Sequence, residues 1–221
     1  MAPQSFESLA DRRSSLIRKA VRGTVLLGKH EDAPLITTLA APNGQIEVPE
    51  DYESVGWISE DGLSFERDRE ITDVRGWGSG AFLRRDIQSE DHTIQFAALE
   101  TKRLTHELRA GRDLSDNTMS ADGEWKYDIL ERPGVYYWRV LALGVDGTAE
   151  NPWYVARVYH KATVTEMDDE AWSDDDDPLM YNVTLSAVPD EEAGGTLGTE
   201  FIFGPGALAA AANMGLTVAG S

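Results

Sequence analysis

Cysteine is absent from all 221 residues, so no disulfide framework, thiolate nucleophile or Cys-type structural zinc site is available. Positive charge is scarce. Against 39 Asp and Glu stand 20 Lys and Arg, a formal net charge of −19. Such a surface repels phosphate backbones and anionic lipid, which argues against nucleic-acid binding of the usual kind and against a membrane partner. Long apolar runs are missing as well. No stretch approaches the roughly 20 apolar residues of a membrane span. The first residues, running to Arg12-Arg13-Ser14-Ser15-Leu16, hold no apolar signal core, so a cytoplasm is the expected site of synthesis.

Histidine is thin, and the four present, His30, His92, His106 and His160, show no metal-binding or HExxH spacing. There is no GxSxG elbow and no phosphate-cradling GxxxxGK[ST]. Gly76-Trp77-Gly78-Ser79-Gly80 lacks the Lys and the helix that a phosphate loop requires and reads as a flexible loop tip. Asp168, Asp169, Glu170 and Asp174 to Asp177 are a solvated acidic loop, because a calcium loop begun at Asp168, Asp169 or Asp174 misses its Gly and its Glu. Acidic residues are so abundant that any pair could be named as glycosidase carboxylates, which empties such a pairing of information. The chain is therefore expected to be no enzyme, with no catalytic, cofactor or metal site.

What is present is a β-protein. Residues 54–98 hold the clearest pattern. Ser54 to Ser59 leads into Glu60-Asp61-Gly62, an expected tight hairpin turn. Leu63 and Phe65 then alternate with polar neighbours, as do Ile94, Phe96 and Ala98 further on, the period of a strand with one buried face. Between these runs the rhythm breaks. The segment from Glu66 to Phe82 is expected as a long irregular loop, charged through Arg67, Asp68, Arg69, Glu70 and Arg75, with Trp77 and Phe82 among glycines and Arg84 and Arg85 just beyond. Loops of that length are uncommon in compact domains unless functional. Arg mixed with Trp is the composition of a protein contact surface.

Along the rest of the chain, Phe6, Leu9, Arg13, Leu16, Ile17 and Ala20 fall at helical spacing after Ser5. The basic cluster there, Arg12, Arg13, Arg18, Lys19 and Arg22, reads either as a solvated helix face or as an arm docking on an acidic patch of a neighbouring copy. A strand is expected at Gly23 to Gly28, and a surface connection from Lys29 to Asp51, where Pro34, Pro42, Asn43-Gly44 and Pro49 punctuate the chain. Leu104 and Leu108, closed by Gly111, predict a short helix at about residues 100–110. Further strands are expected from Glu124 to Leu130, Val135 to Leu143, Trp153 to Thr165, Tyr181 to Ala187 and Glu200 to Gly204. The Ala-rich tail could form two helical turns at Ala207 to Asn213, and it either docks or frays. Eight to ten strands without βαβ repeats predict a mainly β protein, an antiparallel β-sandwich or barrel with one flanking α-helix. The expected organisation is an N-terminal arm at 1–22, a β domain at 23–204 containing the loop 66–82, and a C-terminal tail at 205–221.

The series Val55-Gly56-Trp57-Ile58-Ser59-Glu60-Asp61-Gly62, Arg67-Asp68-Arg69-Glu70, Asp73-Val74-Arg75-Gly76-Trp77, Thr93-Ile94-Gln95-Phe96 and Glu100-Thr101-Lys102 resembles the major tail (tail tube) proteins of long-tailed, siphovirus-type phages of actinobacteria. The likeness resumes at Ala162-Thr163-Val164-Thr165-Glu166 and at Tyr181 to Asp190, and so spans most of residues 20–203 in order. The N-terminal arm and the tail after Phe203 depart from that pattern. The resemblance implies a virion protein that assembles with itself as hexameric rings stacked into a tube. Its partners would be the tape measure, the terminator or connector and the distal tail proteins, and double-stranded DNA would pass through without specific binding. It further implies that the loop from Glu66 to Phe82, with Arg67, Asp68, Arg69, Glu70, Arg75, Trp77, Phe82, Arg84 and Arg85, makes the contacts between rings. Four strands per subunit would line an acidic lumen, with Glu66 and Thr93 as candidates. Two other readings stand beside it. One is the tube of a contractile tail or secretion-type apparatus. The other is an acidic carbohydrate-binding or hydrolytic β-sandwich, disfavoured by the missing signal core and cysteines.

Overall fold

The computed structural model describes residues 5–168, 170, 172 and 178–219. Among them eight strands form one antiparallel sheet: β1 (Arg22–Lys29), β2 (Glu53–Ser54), β3 (Ile58–Arg75), β4 (Phe82–Ala98), β5 (Trp138–Gly147), β6 (Pro152–Met167), β7 (Tyr181–Ala187) and β8 (Gly198–Phe203). The helices are α1 (Phe6–Ala10), α2 (Arg103–Ala110) and α3 (Pro205–Ala210). Strand order is β2-β1-β5-β6-β7-β4-β3. The long strand β6 carries β5 on one edge and two neighbours in succession on the other, β8 along Tyr154 to Tyr159 and β7 along Ala162 to Met167.

The sheet curls around its main apolar interior. Val25 and Leu27 of β1, Ile94 and Phe96 of β4, Trp138 and Val140 of β5, Tyr159 of β6 and Val183 and Leu185 of β7 share one core, so both ends of the strand path meet in it. The mainly antiparallel β class is the one the alternation predicts. Strand β7 shows why: Tyr181, Val183, Leu185 and Ala187 are buried while Asn182, Thr184 and Ser186 are not, the period-2 signature of a half-buried strand. Helix α2 closes the open end through Leu104 and Leu108, 2% and 1% exposed, each burial contributing about 1.5–3 kcal/mol. Its first turn is held by the Thr105 hydroxyl, which accepts the Lys102 N–H at 3.0 Å. It ends where Gly111 turns left-handed at φ 61, the conformation glycine adopts without strain.

Several expectations are corrected. The segment from Lys29 to Asp51 is more than a surface connection, since Ala33, Ile36 and Leu39, together with Tyr52, form a second core on the other face of β5 and β6 with Leu141, Ala156 and Val158. Strands β1 and β5 are covered on both faces, which explains why they read as continuous apolar runs. Glu60-Asp61-Gly62 does not reverse the chain. It lies within β3, in a bulge between the pairs Ile58–Ala98 and Leu63–Phe96 where Gly62 takes φ 74. The N-terminal helix stops at Ala10, where Asp11 turns to φ 37, and is followed by one 3-10 turn at Ser14–Leu16, with Phe6, Leu9 and Ile17 exposed. Residues 124–130 form no strand, and β5 starts at Trp138. The C-terminal tail docks, burying Ala207 and Ala211, with α3 against β6.

Beneath the second cover lies an ionic cluster that sequence periodicity hides. Arg139, the second residue of β5, is 1% exposed. It donates to the Ala33 carbonyl at 2.9 Å, the His160 carbonyl at 3.2 Å and the Asp190 carboxylate at 3.0 Å, and it pairs with Glu192. His30 Nε2 stands 3.3 Å from the same Asp190 carboxylate. Burial pushes the Asp190 carboxyl up, but the Glu192 N–H, His30 and Arg139 outweigh it and hold the group below its ordinary value.

Candidate functional site

The segment expected as an irregular loop is a two-stranded ribbon, and this is the main correction to the sequence reading. Beyond Thr93, β4 has left β7 and pairs with β3 alone. The ribbon continues from Glu66 to Arg75 on one strand, about 30 Å at the usual rise, and only Gly76 to Ala81 form the tip. There Gly78 takes φ 77, and the Ser79 N–H donates to the Gly76 carbonyl at 3.1 Å. Neither face of the ribbon is buried, so no hydrophobic period exists for a sequence reading to find. Two rungs pair opposite charges, Arg69 with Glu90 and Asp73 with Arg85.

The predicted contact residues all fall on this ribbon or its tip. Glu90, which the sequence did not single out, is the hub of one face. Arg67 lies 2.7 Å from its carboxylate, Arg69 donates from Nε at 2.6 Å, and His92 Nε2 is 3.0 Å away. Nearer the tip, Arg85 donates to Asp73 at 2.7 Å while its guanidinium lies over the Phe82 ring at 4.2 Å, and Arg84 donates to Asp86 at 2.7 Å. Arg75 pairs with Phe82 at the last rung. Around these pairs apolar side chains stand in solvent: Ile71, Val74, Leu83, Ile87 and a fully exposed Trp77. An isolated two-stranded ribbon is at best marginally stable in water, and both of its edges present unpaired backbone groups.

Hydrogen bonds from Arg67, His92 and Arg69 hold the Glu90 carboxyl down at about 2, against an ordinary 4.5. A depressed carboxyl contributes its stability above its unfolded value and loses it as pH falls through the folded one. The cluster should therefore stay intact through pH 4.5 and dissolve only towards about 2. Following the Glu90 carboxyl carbon by NMR should give a midpoint near that value. A midpoint at the ordinary 4.5 would mean that the three donors do not converge in solution.

The opposite face is acidic and polar. Glu66 and Thr93 are cross-strand partners, and registers carry that row onward to Ser186 and Thr163. The next row is Ser64, Gln95, Thr184 and Glu166. Across β3, β4, β7 and β6, the charges in these two rows are Glu66 and Glu166. Further out on the same face Asp68 lies opposite Asp91 and Glu70 opposite Ser89. A like-charged pair directly across a ladder is destabilising; the cation that the register puts on this face is Arg84, opposite Val74 near the tip and spent on Asp86. Glu166, Asp91 and the hydroxyl rows were missed by the sequence reading. Alternation alone pointed to polar positions but not to which strands stand side by side.

The four histidines do not converge. His30 and His160 lie at the Arg139 cluster, His92 on the ribbon, and His106 packs edge-on against Trp125, Tyr127 and Tyr181. Among the described residues no three His, Asp or Glu side chains group to hold a metal ion. Of the acidic stretch from Asp168, the positions Asp169 and Asp174 to Asp177 lie outside the described residues.

No family model matches the chain. No curated protein matches it in sequence. Solved structures similar to it include a chain of the anti-feeding prophage baseplate, seen by cryo-electron microscopy with six-fold symmetrisation, at 14% identity over 83% of this chain and 93% of that one, with a TM-score of 0.42. A crystal structure of an Hcp protein is similar at 11% identity over 82% of this chain and 98% of that one, with a TM-score of 0.31.

Proposed function

We propose that this chain is a structural, non-enzymatic subunit of a siphovirus-type phage tail tube. In this reading it assembles as stacked hexameric rings, and the acidic face of each subunit looks into the channel through which DNA leaves the virion. The observation that carries the reading is the two-sided ribbon-bearing sheet. The rows Glu66, Thr93, Ser186, Thr163 and Ser64, Gln95, Thr184, Glu166 that run across β3, β4, β7 and β6 are hydroxyl, amide and carboxylate, and the ribbon prolongs the sheet far beyond its own core. The ordered resemblance of residues 20–203 to tail tube proteins supports the same assignment.

The physics of such a face suits passage rather than binding. Cations grip DNA by displacing counterions from its phosphates, and the rows around Glu66, Thr93 and Glu166 offer none. Carboxylate repulsion acts within about 8 Å at physiological salt, so it touches only DNA that drifts towards the wall. In this reading Glu66 and Thr93 face the lumen, Glu166 joins them, and the ribbon residues Arg67, Asp68, Arg69, Glu70, Arg75, Trp77, Phe82, Arg84 and Arg85 meet the next ring. The tape measure, the terminator or connector and the distal tail proteins would be its other partners in the virion.

Electron microscopy of the purified chain is the direct test. Rings that stack into tubes are the expected result. A protein that remains monomeric at every concentration, or a tail density that its rings cannot fill, would overturn the assignment. Glu66→Lys with Glu166→Lys should leave tubes that retain DNA in a filter-binding assay at low salt, whereas wild-type tubes release it.

A further inference from the structure

The N-terminal arm and an acidic cleft lie at opposite ends of one strand. The arm enters β1 at Arg22. It is pinned there by Arg18, whose guanidinium lies over Trp153 at 4.1 Å and 3.7 Å from Asp146, by the Val21 N–H on the Val145 carbonyl at 3.0 Å, and by Arg13 on Asn213 at 2.9 Å. Among the described residues the side chains of Arg12, Lys19 and Arg22 have no carboxylate ion pair, the Lys19 backbone N–H alone reaching Asp146 at 3.3 Å, although carboxylates outnumber cations nearly two to one. Phe6, Leu9 and Ile17 stand exposed beside them.

Seven residues further along, about 23 Å at the usual rise, β1 ends at a cleft of about 280 Å³ lined by Leu27, Lys29, Glu50, Asp51, Glu53 and residues of α2. Asp32, Glu50, Asp51, Glu53 and Glu107 line it. Glu53 is paired with Arg103 at 3.0 Å, whereas Asp32, Glu50 and Asp51 have no cationic partner among the described residues. Glu107 is buried at 1% exposure. One of its oxygens accepts the Leu114 N–H at 2.9 Å and the Arg103 guanidinium, and the other, Oε2, has no hydrogen-bond partner. Burial raises the Glu107 carboxyl above its ordinary value.

We infer that the basic arm of one copy, through Arg12, Lys19 and Arg22, seats in the acidic cleft of a second copy. The inference rests on the self-assembly reading above and adds to it the pair of surfaces that meet. The arm's own contacts hold it at the far end of β1, so the complementary surfaces of one chain do not meet each other. A contact between two different patches is heterologous and repeats from copy to copy. Arm and cleft, at the two ends of a strand, give that repeat a direction.

Charge exchange tests it. One variant carries Arg12→Glu, Lys19→Glu and Arg22→Glu; a second carries Asp32→Lys, Glu50→Lys and Asp51→Lys. All six positions are exposed, and circular dichroism checks that both chains fold. Each variant alone should need a roughly tenfold higher concentration to assemble in sedimentation velocity. An equimolar mixture should assemble as wild type does, since each arm then meets a cleft of opposite sign. If the arm variant assembles like wild type, or the mixture fails to restore assembly, the arm–cleft pairing is wrong while the self-assembly reading stands. A wild-type chain that never leaves the monomer overturns both. Independently of variant folding, zero-length carbodiimide coupling of assembled wild type should join Lys19 to Asp32, Glu50 or Asp51 of another copy. Absence of any such product also overturns the pairing.

Discussion

On the proposed stacking, a chain in which residues 75–83 are replaced by an Asn-Gly turn between the paired Val74 and Arg84 should keep its melting temperature and fail to stack. The excised residues touch neither core: the interior takes Ile94, Phe96 and Ala98 from β4, and from β3 only the partly buried Ile58 and Leu63. The two-residue turn suits the right-handed twist of the strands it would join, so the shortened ribbon can close without splaying. What disappears is the fully exposed Trp77 with Phe82 and the Arg85–Phe82 contact. Aromatic and arginine side chains dominate the binding energy of protein interfaces. Subunits should thus appear as single rings or smaller species by electron microscopy where the proposal expects stacks from wild type. Tubes of normal length from this variant would remove the ribbon from any stacking role.

The second large effect is on the fold. Arg139→Ala should destabilise the chain by about 3–5 kcal/mol, because it strands the buried Asp190 carboxylate without its cation. For a chain of this size that corresponds to roughly 6–20 °C in Tm. Asp190, 2% exposed, keeps only His30 and the Glu192 N–H in that variant. Arg139→Met with Asp190→Asn should lose much less than the sum of the two single changes, since it removes both charges together. Thermal melts of the four chains give the coupling directly. An additive double variant would mean that the two charges are solvated separately.

How far the sequence could be read depended on whether a face was buried. Strand β7 and helix α2 were legible to within a few residues, because core contact imposes periods of two and of three to four on Tyr181 to Ala187 and on Leu104 and Leu108. The ribbon was not, because it is stabilised by backbone pairing and charge complementarity, neither of which imposes an apolar period. Glu60-Asp61-Gly62 misled for a related reason. Gly at positive φ serves a bulge as readily as a turn, and only the pairing of Leu63 with Phe96 distinguishes them. Arg139 was invisible because an arginine inside an apolar strand carries no mark of its partners, and Asp190 lies 51 positions away. For the candidate site the sequence singled out residues that the fold puts on the ribbon, and the polar positions Glu66 and Thr93 beside one another at its root; that they meet another copy or line a channel is the proposal. The sequence could not supply the side-by-side order of β3, β4, β7 and β6 that turns isolated polar residues into a surface.

The way the ribbon is rooted has a mechanical consequence. Strand β4 is continuous from the tip to Ala98, and its last six positions, Thr93 to Ala98, are bonded to β7, which is bonded in turn to β6. Ladder bonds run perpendicular to the strands. A pull along the ribbon axis therefore loads all the rungs between β4 and β7 together, while a sideways pull opens them one after another. The ribbon is a tie in tension and a weak lever in bending, so a neighbour gripping its tip is held firmly along one direction and left free to tilt in the other.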